Sequence, residues 1–158
     1  MTDTLFGNLE YNDIQYFCGK VKTSVLGDDD EVEIMIQADD ESDGIAESQR
    51  EAFRNFSDNE AELKDEIMES LVFYYNEELK YSYGDDEMWL DIDTPEDMKA
   101  QLEWNWIQIP YGLITDDVPV LYLIFHCKWE DEDPDPQGIA VEITEGSITN
   151  IGAADIAF

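Results

Sequence analysis

The chain has 158 residues, of which 40 are acidic and eight are basic, so its formal net charge is −32. Such a surface repels the phosphates of nucleic acids and of anionic lipids, which argues against direct binding to DNA, RNA or a membrane. Hydrophobic residues make up 43% of the chain, too many for a disordered protein and enough for the core of one domain over residues 1–158.

The first residues, MTDTLFGNLEYND, contain neither a basic start nor an apolar run, so we expect no signal peptide and a cytoplasmic protein. Cys18 and Cys127 both lie among apolar and aromatic residues. In a reducing cytosol we expect two buried thiols rather than a disulfide. Two cysteines and one histidine cannot build a typical structural zinc site, and no cofactor is expected.

The N-terminal part of the chain predicts strands over residues 4–38. Val32, Ile34 and Ile36 alternate with polar neighbours, which is typical of a strand with one buried face. The run GDDDE at its start predicts a hairpin turn.

A helical section is predicted over residues 45–80. Two Ser-x-x-Glu capping boxes, at Ser48 and Ser57, predict that two helices begin there. Apolar and aromatic residues then recur at helical spacing from Leu63 to Tyr75, and we expect this stripe to be core.

The C-terminal half predicts one more helix and then strands. Thr94 followed by Pro95 begins a short helix over residues 94–103, and EMWLDID before it suggests a short strand. Strands are predicted over residues 104–158, with the apolar run 118–125 as a central strand buried on both faces. The order of strands, helices and strands predicts an α+β fold, a mainly antiparallel sheet with a central section of two helices plus a short third.

Few residues suggest catalysis. His126 and Cys127 are neighbours on a predicted strand, so their side chains should point to opposite faces, and His126 is interpreted as a core histidine. The sequence has no Gly-rich phosphate loop and no hydrolase motif, so no enzymatic activity is predicted. Trp104 and Trp106 should share one strand face, either as core or as an exposed protein-binding surface.

The stretch WEDEDPDPQGIAVE has the ligand spacing of a calcium loop. Its candidate ligands are Asp131, Asp133, Asp135 and Glu142. Pro136 stands where such a loop needs glycine, and the flanking residues predict strands rather than helices. Two interpretations remain open: a solvated acidic turn, or a calcium- or magnesium-binding module at 131–142.

Two acidic clusters flank the predicted strand that ends near Ala38. Their members are Asp28, Asp29 and Asp30 at one end, and Asp39, Asp40, Glu41 and Asp43 at the other. No basic residue occurs between Thr23 and Gln49. These clusters are candidate partner-binding residues for a basic protein, and the alternative is a solvated surface that only confers solubility.

Two stretches together resemble an uncharacterised bacterial domain-of-unknown-function family of small acidic proteins: SQREAFRNFSDNEAELKDEIMESLVFYY and HCKWEDEDPDPQGIAVEITEGSITNIGAADIAF. The first is similar in its helix ending in paired tyrosines, the second in its Trp, acidic turn, Gly and hydrophobic strand. In the family, Glu-His-Gly often follows the Trp, whereas EDEDPDPQG follows Trp129, so no role of that histidine transfers.

Some members of that family resemble immunity proteins, which neutralise secreted toxins. The resemblance implies a non-enzymatic, immunity-type inhibitor that acts as a monomer or homodimer on a basic partner such as a toxin. A DNA mimic, with carboxylates spaced like phosphates, is a variant of this hypothesis. A hydrolytic enzyme would need a pocket that gathers His126 with carboxylates.

Overall fold

The computed structural model describes residues 1–27, 29–83, 89–111 and 118–158. The strands before the helices are β1 (Thr2–Asp3), β2 (Gly7–Asn8), β3 (Glu10–Tyr11), β4 (Tyr16–Thr23) and β5 (Asp30–Gln37). The helices are α1 (Glu47–Asp58), α2 (Glu60–Glu77) and α3 (Pro95–Gln101). The strands after them are β6 (Leu102–Ile109), β7 (Val120–Cys127), β8 (Ile139–Thr144) and β9 (Ser147–Gly152).

Seven strands form one sheet in the order β3-β4-β5-β6-β7-β8-β9, and β1 pairs with β2 beside it. Neighbouring strands are antiparallel except β5 and β6, which are parallel and paired over three residues on each strand, Ile34–Ile36 with Ile107–Ile109. We call this pairing the parallel seam. All three helices lie between β5 and β6 in the chain. The α+β prediction, a mainly antiparallel sheet with a central helical section, is confirmed.

The helices cover one face of the sheet, where the main core lies. Val32, Ile34 and Ile36 of β5 are buried, as the alternation predicted. From the other side, the predicted stripe of α2 contributes Ile67 and Leu71, which are fully buried.

The C-terminal residues cover part of the opposite face. A 3₁₀ turn at Ala154–Ala157 packs there against Ile124 of β7, which is buried on that side while Leu123 is buried on the other. The buried Gln108 holds the turn, because its Nε2 donates to the Ala157 carbonyl at 2.7 Å. The prediction that β7 is central and buried on both faces is therefore confirmed.

The cap of the short helix was predicted correctly, whereas the two serine caps were not. Thr94 Oγ1 accepts the Asp97 N–H at 3.1 Å, and the Asp97 carboxylate accepts the Thr94 N–H at 3.2 Å. Ser48, however, lies inside α1, and Ser57 lies in its last turn. The Glu60 carboxylate was predicted to complete the second capping box. It instead accepts the hydroxyl of Thr23, on β4, at 2.9 Å.

Other differences lie at the ends of elements. Strands were predicted over residues 4–38 and 104–158. Both regions begin two residues earlier in the structure, with β1 at Thr2 and β6 at Leu102. The described part of EMWLDID, residues 89–93, is not a strand. Its backbone is instead hydrogen-bonded to a side chain of α2. The Tyr75 hydroxyl donates to the Leu90 carbonyl and accepts from the Leu90 N–H, both at 2.9 Å. The rest of that stretch lies outside the described residues.

The two tryptophans of β6 lie on opposite faces, which contradicts the prediction. The register shifts between them, so that Trp104 is opposite Phe125 and Trp106 is opposite Ile124. Trp104 packs on the helix side, with its ring centroid 4.5 Å from that of Phe125, whereas Trp106 joins the small cluster on the other face. A bulge adds one residue and thereby inverts the alternation.

Candidate functional site

A groove on the described surface lies between helix α2 and strand β9. Within the described residues, β9 is the last strand of the sheet and pairs only with β8, so its outer edge faces this groove. The groove has a volume of about 510 Å³ and is open to solvent. The unpaired backbone of an edge strand is a template for another extended chain. We refer to this feature as the α2–β9 groove.

The floor of the α2–β9 groove is apolar. Ile148 and Ile151 both pack against the main core, although three positions separate them. A shift of register permits this, because Ile148 is opposite Ile143 while Ile151 is opposite Val141. On the helix side, Phe73 is 68% exposed, an unusual state for a large aromatic ring.

The rim of the α2–β9 groove is acidic. Glu69 and Glu78 line it from α2 and its C-terminal end, and no lysine, arginine or histidine is among the lining residues that the structure describes. Burial raises the pKa of the Tyr74 phenol, and the Glu78 carboxylate adds to this effect. Tyr74 therefore stays a neutral hydroxyl, able to donate a hydrogen bond within the groove.

Comparison with known families identifies the chain at the level of family. A family model described as a domain of unknown function, DUF6985, matches residues 5–158. The chain belongs to this family. No curated protein and no solved structure matches the chain significantly. The expected resemblance to a domain-of-unknown-function family is confirmed, whereas the immunity-type function implied with it stays a prediction.

The acidic clusters of this DUF6985 chain lie far apart. Asp29 lies directly before β5 and Asp30 is its first residue, whereas the cluster from Asp39 to Asp43 follows the strand, roughly 30 Å away at about 3.3 Å per residue. Asp28 lies outside the described residues. The strand thus separates the candidate partner-binding residues into two patches. Binding of a partner by either patch stays a prediction.

Asp40 in the second patch has a local structural role. Its carboxylate accepts the Ser42 N–H at 2.8 Å and the Ser42 hydroxyl at 2.7 Å, which lowers the Asp40 pKa. It thereby caps the 3₁₀ turn Glu41–Asp43, while Asp39, Glu41 and Asp43 remain exposed to solvent.

The candidate calcium ligands lie in different environments and have different hydrogen-bond partners. Asp131 hydrogen-bonds to His126, and Asp133 accepts the Asp135 N–H at 2.9 Å. Glu142 lies on β8, where its carboxylate accepts the Tyr122 hydroxyl at 2.8 Å. In the described parts of the chain, no three His, Cys, Asp or Glu side chains form a group that could hold a metal. Cation binding at 131–142 stays a prediction, and the described residues form no coordination site there.

His126 and Cys127 have different environments, as neighbours on a strand should. The interpretation of His126 as a core histidine is wrong, because its side chain is 28% exposed and pairs with the exposed Asp131. Cys127 is fully buried, and burial raises the pKa of its thiol far above the ordinary range, with Glu130 as a further cause. Cys18 is a free thiol that is only partly buried. None of the described helices is long and apolar enough to span a membrane.

The residues of the α2–β9 groove were not identified from the sequence. Phe73 was passed over within an aromatic run interpreted as core, although it lies off the helical stripe that ends at Tyr75. The spacing of Ile148 and Ile151, three apart in a predicted strand, was an available signal for a bulge.

Proposed function

We propose that this DUF6985 protein is a non-enzymatic binding protein, an immunity-type inhibitor that covers a basic partner protein. The α2–β9 groove receives an extended, basic segment of that partner. The observation that supports this proposal is the combination in one groove of a free strand edge, an exposed Phe73 and an acidic rim without a cation.

The charge of the molecule favours such a partner. Forty acidic residues face eight basic ones, and the lysines and arginines form only four ion pairs among the described residues. These are Lys20–Glu31, Arg50–Asp3, Arg54–Glu47 and Lys128–Glu103. Most carboxylates therefore lack a cationic partner. The resulting field accelerates encounter with a basic protein and weakens as salt screens it.

The groove accounts for how the partner is held. An extended segment bound along the edge of β9 gains main-chain hydrogen bonds, as in other cases of strand addition. Apolar side chains of that segment pack on Phe73 and Ile151, and its lysines or arginines reach Glu69 and Glu78. In this arrangement, contacts within the groove determine the affinity for the partner. The overall charge determines the rate of encounter.

The partner is identified first by a salt-stepped pull-down from a lysate of the source organism, with the wild-type protein as bait and mass spectrometry as readout. We expect one basic protein that elutes at moderate salt. Its purified form is then titrated by calorimetry at two salt concentrations, and the affinity should fall as salt rises.

Two matched variants test the groove. Phe73→Ala should weaken binding of the purified partner by about tenfold or more, as expected for a central aromatic residue of an interface. Ile14→Ala removes another exposed apolar side chain, 61% exposed and outside the groove, and should leave affinity within about twofold. Equal affinities of the Phe73→Ala variant and the wild-type protein would overturn the assignment of the groove.

A further inference from the structure

A second cavity, of about 220 Å³, has aromatic rings on several sides. Tyr75 reaches it from α2, Tyr83 from the 3₁₀ turn Leu79–Tyr83, and Trp129 from the turn after β7. Leu90 completes the apolar lining. We call this feature the aromatic pocket. It shares no lining residue with the α2–β9 groove.

Hydrogen bonds fix the rings of the aromatic pocket in place. Trp129 Nε1 donates to the Tyr83 hydroxyl at 2.9 Å, and the Tyr75 and Trp129 ring centroids lie 5.2 Å apart. Burial raises the pKa of Tyr83 to about 12, so its phenol stays neutral and presents an uncharged ring. The two bonds between the Tyr75 hydroxyl and the Leu90 backbone hold the remaining wall.

Two carboxylates also line the aromatic pocket. Glu130 is only 3% exposed, and its two oxygens accept the Gln137 N–H at 2.9 Å and the Gly138 N–H at 3.2 Å. Asp133 lies at the exposed side. None of the ion pairs among the described residues includes Glu130, although all eight lysines and arginines lie in those residues. The Glu130 carboxylate is therefore held by hydrogen-bond donors rather than by a lysine or arginine, and a cation in the adjoining cavity would complement its charge.

We propose that the aromatic pocket binds a substituted ammonium group. Ring faces attract an ammonium ion through their quadrupoles, and methylated ammonium ions are commonly held by such rings. Carboxylates add charge complementarity. The volume is below the roughly 300–1,000 Å³ of pockets for drug-sized ligands, which suits one head group on a small molecule or on a side chain.

The test compares choline with 3,3-dimethyl-1-butanol, in which carbon replaces the charged nitrogen. Each is titrated into the ¹⁵N-labelled full-length protein at constant ionic strength, with sodium chloride as the control for general attraction of cations. The Trp129 indole N–H reports binding, and Trp106, on the other face of the sheet, is the internal reference. We expect a saturable shift at Trp129 with choline, and roughly tenfold weaker binding of the alcohol.

Two matched variants test the carboxylate. Asp133→Asn removes one charge from the pocket and should weaken choline binding by about threefold, the scale of a partly solvated charge pair. Asp135→Asn removes a charge from the same loop outside the pocket and should leave the affinity unchanged. Nα-acetyl-trimethyllysine amide then distinguishes the two sources, because tighter binding than choline assigns a side chain and weaker binding assigns a small molecule.

Several outcomes would overturn the proposal. Equal affinities for choline and for the alcohol would show that the pocket does not recognise the positive charge. A shift of the Trp129 indole N–H that is no larger with choline than with sodium chloride would show that the pocket does not bind ammonium groups. Equal losses of choline affinity in the two aspartate variants would indicate general attraction by the charge of the molecule. None of these results would affect the function proposed for the α2–β9 groove, because the two sites share no residue.

Discussion

Asp3 and Arg50 form the most buried ion pair described in the molecule. The carboxylate accepts two guanidinium N–H groups, at 2.6 and 3.0 Å, and its side chain is 7% exposed. It also accepts the backbone N–H groups of Leu5 and Phe6. The hydrogen bond from Arg50 is the main reason that the pKa of Asp3 falls to about 2. This pair ties the N-terminal segment to α1.

Asp3→Asn should lower the free energy of unfolding by about 2 kcal/mol at pH 7, the equivalent of this change in pKa. Because the folded-state pKa of Asp3 is lowered from 3.8, its contribution is complete above pH 3.8 and is lost as the pH falls through about 2. Urea unfolding at pH 7 and near pH 2 measures both values.

Asp13→Asn is the matched control for that variant, because Asp13 is exposed and its removal relieves the same net charge. It should change stability by less than about 0.5 kcal/mol. If Asp3→Asn were equally destabilising at both pH values, the ion pair would not be the cause.

Single residues were predictable from the sequence where their partners are local. The Thr94 cap was identified, since it depends on chemistry within a few positions. Asp3 and Arg50 lie 47 positions apart, and the burial of Glu130 depends on a loop that returns to it. No pattern in a single sequence specifies such contacts.

At the scale of elements, the strands and helices were predicted well, and their irregularities were not. Alternation identifies a strand but assumes a constant period of two, which the bulges in β6 and between β8 and β9 interrupt. The first bulge places Trp104 and Trp106 on opposite faces, and the second directs Ile148 and Ile151 into the floor of the α2–β9 groove. The candidate site was missed for this reason.

Gly138, directly before strand β8, is under two constraints that alanine cannot meet. Its φ is +64°, and an added Cβ would lie 2.9 Å from the Phe125 carbonyl oxygen. Gly138→Ala should therefore lower the free energy of unfolding by about 3 kcal/mol, from backbone strain together with the displacement of β7. Chemical denaturation followed by far-UV circular dichroism measures the change.

Gly44→Ala separates the two causes. Its φ is +65°, nearly that of Gly138, but an added Cβ would meet nothing within 4 Å. The cost should be about 2 kcal/mol, from backbone strain alone, because the ψ of −155° at Gly44 places it in a conformation that almost only glycine adopts. Equal losses in the two variants would contradict the predicted clash with β7.

For the whole molecule, the predicted α+β class was correct because it follows from the order of elements. The parallel seam was not predicted, since no local signal states which strands become neighbours across the helical section. The net charge of −32 is read directly from the composition, and its consequence for stability can be tested on the whole chain.

Added salt should stabilise the protein. Like charges on a compact surface repel one another, and raising the ionic strength from about 0.01 M to about 1 M shortens the screening length from roughly 30 Å to 3 Å. We expect the melting temperature to rise by about 5 °C or more in scanning calorimetry. Sodium and potassium chloride should give the same curve, and a flat or falling curve would show that repulsion does not limit stability.

We also expect the parallel seam to set the order of folding. The antiparallel neighbours on both sides of it are joined by connections of at most eleven residues, and hairpins form within about 1–10 μs. Ile34 and Ile107, by contrast, are more than 70 positions apart, so their pairing closes a long loop before any contact compensates for the lost entropy. We expect both antiparallel blocks to form early and the seam to close last, which makes this short junction of three residue pairs the rate-limiting step of folding.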